Sequence, residues 1–214
     1  MIVAGTIVTL AIFLAVGWAV STEMFQQRLW RKRVAAGDTT IVAALILEAL
    51  GGWRRARIPA GVAPALWAGV QGAQLVAVTR DSATVSASAE AEFASRDGGR
   101  VQVASALEGA MAIAAKLIDM MLYDVPNLRL GVVRVDVYSI FTGADGTPVQ
   151  QPILTTTAER AIADELASGA LTPAEFLGRF DTHYQKTETG QALAIVLPPV
   201  EGTLPPSPGA EGAS

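Results

Sequence analysis

Hydrophobic and polar positions follow three successive rhythms along the chain. The first is an unbroken apolar run: residues 2–20 (IVAGTIVTLAIFLAVGWAV) carry no charge, and at 1.5 Å rise per residue such a run covers about 30 Å of hydrocarbon. It predicts a single transmembrane helix over 1–20. A cleaved signal peptide, with Gly17 and Ala19 before the cut, is the competing reading. The missing basic n-region and the length of the run favour an uncleaved anchor. Ala11, Ala15 and Ala19 repeat at a spacing of four, a small-residue stripe suited to a helix–helix contact in the membrane.

The second rhythm is helical and mixed. Residues 21–37 (STEMFQQRLWRKRVAAG) set Phe25, Leu29 and Trp30 among Arg28, Arg31, Lys32 and Arg33, which predicts a basic juxtamembrane helix on an anionic leaflet, with Trp18 and Trp30 bracketing the interface. From Asp38 and Thr39, which can cap a helix, the segment IVAALILEAL is apolar on all sides and is expected to stop at Gly51-Gly52. Ten to twelve residues span about half a bilayer. A helix buried in the domain is the preferred reading, with a shallow dip into lipid or a partner contact as alternatives. Trp53, Arg54, Arg55 and Arg57 form a second basic-aromatic cluster assigned to the membrane interface. Beyond the Pro59 and Pro64 turns, Leu66, Trp67 and Val70 make a short apolar piece that also suits a lipid surface.

The third rhythm is alternation. Val85, Ala87, Ala89, Ala91 and Phe93 fall on one face and Ser86, Ser88, Glu90 and Glu92 on the other, a half-buried antiparallel strand. Asp97-Gly98-Gly99 turns it into a partner over 100–104. Ser105 with Glu108 is a capping box, and Leu107, Ala110, Met111, Ala114, Leu117, Ile118 and Met121 then repeat at three and four. That helix is expected to stop near Asp124-Val125-Pro126-Asn127. A β-branched run over 130–141 predicts a central strand, with Val133, Val135 and Val137 alternating with Arg134, Asp136 and Tyr138, and residues 143–146 turn it into 149–155. Thr156 with Glu159 and Thr172 with Glu175 read as two more capping boxes, predicting helices over 157–168 and 173–185 joined through Gly169. Residues 191–197 suit an edge strand, and 198–214 read as a Pro/Gly-rich disordered tail. No internal repeat is expected beyond the two hairpins. The fold class is therefore α+β: a transmembrane helix, a basic helix over 21–37, an apolar helix and connector over 38–72, and an antiparallel β-β-α-β-β domain over 73–197 ending in a helical hairpin.

Composition sharpens this outline. The 214 residues are 51% hydrophobic and 17% charged, with mean hydropathy +0.38, which excludes a disordered chain and points to membrane contact. Charge is divided along the sequence: residues 1–57 carry seven basic and three acidic groups (+4), and 58–214 carry nine and seventeen (−8). Basic residues just after the apolar run predict the N-terminus outside and the domain in the cytoplasm of a cell membrane, with the outer side as the alternative. No cysteine is present and only one histidine, which excludes disulfides, thiolate metal sites and a cysteine nucleophile.

Candidate chemistry is sparse. His183 stands two residues from Asp181, and a carboxylate-oriented histidine can act as a base, but one helix face does not hold i and i+2 together. Glu90 and Glu92 share a strand face, where paired carboxylates could bind a cation or run acid–base chemistry; a solvated face is the simpler account. Asp145-Gly146 suggests a calcium loop that fails at its twelfth position, Thr156. No nucleotide or nucleophile-elbow motif occurs. Residues 156–186 hold three basic groups against five acidic ones, the wrong sign for DNA. The expectation is therefore not an enzyme and no cofactor, metal or nucleic acid. It is an accessory or scaffold subunit, bound to anionic lipids and to other membrane subunits or itself. A membrane-tethered small-molecule sensor is the alternative, and a carboxylate-dependent hydrolase a more distant third.

Overall fold

A computed structural model describes residues 38–96, 99–143, 145–166 and 171–203. The expected transmembrane helix, its Ala11, Ala15 and Ala19 stripe, and Trp18, Arg28, Trp30, Arg31, Lys32 and Arg33 lie outside the described residues. Among those described, no helix is long and apolar enough to cross a membrane.

The fold is mixed α+β. Helix α1 (Thr39–Arg55) begins where Asp38 accepts the Thr40 N–H at 3.0 Å. It buries Val42, Leu45, Ile46 and Leu50 in the domain core, so this apolar segment is a packed helix with Leu47 left partly exposed. It does not stop at Gly51-Gly52 but runs one turn further. There the side chain of Gln71 donates to the carbonyls of Arg54 and Ala56, satisfying acceptors that a helix end leaves open. Helix α2 (Pro64–Gln71) follows, and Trp67 and Val70 are buried in protein rather than laid out for lipid.

Strands β1 (Gln74–Val78) and β2 (Ser82–Ser88) pair antiparallel. The single strand expected through Phe93 breaks after Ser88, because β2 belongs to the main sheet while β3 (Glu92–Arg96) and β4 (Gly99–Ala104) form a separate two-stranded hairpin. Helix α3 (Ala106–Asp119) starts from the Ser105–Glu108 capping box, as its sequence predicts, and ends in a π-helical turn (Met120–Asp124). Arg160 holds that turn, donating to the carbonyls of Leu122 and Leu130.

Strand β5 (Val132–Thr142) is central, as expected, but it pairs parallel with β2, so the sheet is mixed rather than antiparallel. The intervening hairpin and α3 form the crossover that parallel pairing requires. Strand β6 (Pro148–Glu159) pairs antiparallel with β5 and runs to Glu159. Thr156 therefore sits inside a strand, its hydroxyl hydrogen-bonded to Thr182, and does not cap a helix. Among the described residues the two long helices expected over 157–168 and 173–185 are short: α4 (Arg160–Leu166) and α5 (Pro173–Leu177), followed by strand β7 (Asp181–Lys186), where the second helix was expected to continue, and then by the two-residue β8 (Ala192–Leu193). Of the two capping boxes expected for the hairpin, Thr172–Glu175 forms as predicted. The six-stranded order is β1-β2-β5-β6-β7-β8.

One sheet face carries Val85, Val133, Val135, Val137 and Leu154 into the core with α3. The other is polar, and cross-strand register aligns Thr84, Arg134, Thr157 and Asp181 in one row and Ser86, Asp136, Thr155 and His183 in the next. A strap formed by residues 195–203 lies over this face. Ile195 donates to the Pro152 carbonyl at 2.9 Å, Arg134 donates to the carbonyls of Pro198 and Pro199, and Val78 and Thr203 exchange two backbone hydrogen bonds. The first residues of the expected disordered tail are thus docked on the sheet; residues 204–214 lie outside the described part.

Candidate functional site

Helix α3 sits at the centre of the helical layer, and its outer side sets the small residues Gly109, Ala112 and Ala115 between Glu108 at one end and Lys116 and Asp119 at the other. Helix α2 packs so closely here that a Cβ at Gly69 would meet Ile113, with Cγ1 at 2.7 Å. The shallow helix surfaces leave two clefts. The first, about 690 Å³, lies between α2 and the start of α3, with Ala65, Gly69, Ala112 and Ile113 among its walls and Glu90, Glu92 and Glu108 at its mouth. The second, about 520 Å³, lies between the end of α3, α4 and α5, against Ala115, Tyr123, Leu166 and Phe176. Leu66 and Ala112 line both, so the clefts lie side by side along α3, an apolar track in two parts, the second also lined by Lys116 and Asp119.

The two ends of the track differ electrostatically. Among the described residues no basic side chain lines the first cleft. Its Glu108 is held as a carboxylate by the backbone N–H and hydroxyl of Ser105, which pull its pKa below the ordinary value. Glu90 and Glu92 meet at the cleft mouth but no longer share a strand, since β3 begins at Glu92. In the second cleft the Tyr123 hydroxyl donates to Asp164 at 2.6 Å, and the Arg160 guanidinium lies 5.0 Å from the Tyr123 ring centre. Burial first, then that hydrogen bond and the Asp164 charge, raise the Tyr123 pKa to about 12.

The remaining sequence candidates are placed elsewhere. His183 and Asp181 are in contact at 2.8 Å, because a strand holds i and i+2 on one face where a helix does not. Both side chains are well exposed. Asp145 accepts from the Thr147 N–H and hydroxyl, which lower its pKa, and so closes the β5–β6 turn. Arg54 donates to the carbonyls of Gln71 and Ala73, Trp53 packs on the core, and Arg55 and Arg57 point to solvent. Among the described residues no group of three or more His, Asp or Glu could hold a metal ion.

Sequence reasoning missed the track altogether. Its one signal was the excess of Ala and Gly on the outer side of α3 and in α2, positions that a helix covered by larger partners would not leave so small. No protein-family model matches this chain, and neither a curated protein nor a solved structure matches it.

Proposed function

We propose that the chain is a membrane-anchored accessory subunit whose α+β domain docks an apolar helix of a partner subunit along α3. The observation that carries this reading is the pair of adjoining clefts along α3, the first lined by three carboxylates and, among the described residues, by no basic side chain. Shallow grooves of small residues admit a helix backbone closely, and the acidic mouth selects a helix with basic groups at the end that reaches it. The uncharged run over 2–20 and the basic residues 28–33 support an anchor with the domain on the cytoplasmic side.

The test is a detergent pull-down of the tagged full chain beside Ala112→Glu, which places a charge on the wall shared by both clefts. Partners recovered stoichiometrically with the native chain and lost with Ala112→Glu are expected. Identical partners with both, or none with either, would overturn the reading. Glu188→Cys, in an exposed turn, reports topology: resistance to a membrane-impermeant maleimide in intact cells is expected, and ready labelling would put the domain outside. A second reading, a tethered small-molecule sensor, draws on the size of the first cleft, which lies within the range of about 300–1,000 Å³ typical of ligand pockets. Ligand-dependent thermal stabilisation that Ala112→Glu removes would favour it.

A further inference from the structure

The polar sheet face is built to hold something extended. Asp136 is 1% exposed and accepts from the Thr155 hydroxyl at 2.6 Å and from Arg134 Nε at 2.9 Å. These contacts fix the guanidinium with its two outer nitrogens turned to the strap, where each donates at 3.0 Å to one of two successive prolyl carbonyls. Prolines have no N–H and cannot extend a β-ladder; in extended form they offer carbonyls along a stiff backbone that loses little entropy on binding. A fixed fork of donors is the chemistry that reads such a pair.

The strap makes a second demand five residues after Leu197. Gly202 has φ +116°, and a Cβ there would lie 2.5 Å from the Val78 carbonyl oxygen, so the crossing of β1 requires glycine. Both demands recur in the sequence at the same spacing. Residues 197–203 read Leu-Pro-Pro-Val-Glu-Gly-Thr, and residues 204–210 read Leu-Pro-Pro-Ser-Pro-Gly-Ala. Moving the chain by seven residues brings Pro205 and Pro206 to Arg134, Gly209 to the tight crossing and Ala210, which keeps its N–H, opposite Val78. This is a repeat that composition alone had merged into a Pro/Gly-rich tail.

We infer that the polar sheet face is a binding site for an extended diproline segment, read by Arg134, and that residues 204–210 are a second copy of the ligand that can replace residues 197–203 in the same chain. The exchange is physically accessible. The strap is held by the few hydrogen bonds described, Val196 is 95% exposed, and the groups under it, Thr84, Asp136 and Thr155, are polar.

Disulfide capture in the full, otherwise cysteine-free chain tests this. Directly paired antiparallel residues that exchange hydrogen bonds have Cα atoms about 5.5 Å apart, within disulfide reach. Val78→Cys with Thr203→Cys should close within one chain under mild oxidant. Val78→Cys with Ala210→Cys should close to a lesser extent, should rise several-fold when Gly202→Val blocks the first register, and should vanish with Gly209→Val. Failure of the Thr203→Cys pair, absence of Ala210→Cys capture in the Gly202→Val background, or indifference to Gly209→Val would each overturn the inference. A disulfide-linked dimer from the Ala210→Cys pair would overturn its assignment to the same chain.

Discussion

Asp136 is the residue on which the polar face depends. Its side chain is 2% exposed and that of Arg134 is 11% exposed, so the pair is taken out of water and its neutralisation is local. Removing one partner of a buried pair leaves an uncompensated charge, which costs about 3–5 kcal/mol. Asp136→Ala is therefore expected to lower stability by roughly 3 kcal/mol, read from the urea midpoint, while Arg134→Met with Asp136→Leu recovers most of the loss. A loss below about 0.5 kcal/mol would mean that water reaches the pair and that the strap does not seal the face. Tyr123 gives a pH-dependent counterpart. Its pKa, raised to about 12 from the ordinary 10, means that the folded state holds the phenolic proton more tightly than the unfolded one. Its contribution to stability is complete below pH 10 and is lost as pH rises through 12. Absorbance titration of the native chain against Tyr123→Phe should show a tyrosinate appearing near pH 12, moving down with Asp164→Asn; a Tyr123 transition near 10 in the native chain would contradict the hydrogen bond to Asp164.

At the scale of elements, the contact between α2 and α3 is set by Gly69. A methyl there collides with Ile113, and overpacking of a tight core costs about 1–3 kcal/mol, partly offset by the better helix propensity of alanine, about 1 kcal/mol. Gly69→Ala should thus cost clearly less in an Ile113→Val background than in the native chain, a coupling measured by a double-mutant cycle; additive effects would show that the helices yield without strain. The elements that were legible in the sequence are those specified locally. The Ser105–Glu108 box and the three-four spacing of Leu107, Ala110, Ala114, Leu117 and Ile118 gave α3, and the alternation of Val133, Val135 and Val137 gave β5. Alternation cannot tell pairing direction, so the parallel β2–β5 ladder was invisible. Thr156-x-x-Glu159 matches a capping box in spacing, yet pairing with β5 and β7 overrides that local preference. Phe176 and Phe180 stand four apart like helix neighbours, but they pack edge to face at 4.9 Å across the turn that leads from α5 into β7. The apolar track was hidden for a related reason: its walls come from α2, α3, α4 and α5, and no one stretch of sequence contains it.

The whole molecule is electrically divided, and under the proposed anchor the division predicts how the domain would face a membrane. Residues 1–57 sum to +4 and residues 58–214 to −8. An acidic body is repelled by an anionic leaflet, whereas each basic residue near such a surface contributes about 1 kcal/mol of attraction within a Debye length of roughly 8 Å. On the proposed anchor, the four basic groups of residues 28–33 should then hold the chain to anionic lipid even without its apolar run, and the carboxylates of the first cleft should be repelled by the headgroups. A variant lacking residues 2–20 is expected to sediment with vesicles containing phosphatidylserine at 50 mM salt, about a Debye length of 14 Å, and to release at 500 mM, about 4 Å. It should not bind phosphatidylcholine vesicles at either salt concentration. Replacing Arg28, Arg31, Lys32 and Arg33 with Gln in that variant should abolish sedimentation, whereas the same change at Arg55 and Arg57, exposed at the end of α1, should reduce it less. Salt-insensitive binding, or binding that survives the first replacement, would show that apolar contact rather than the basic collar holds the domain at the surface.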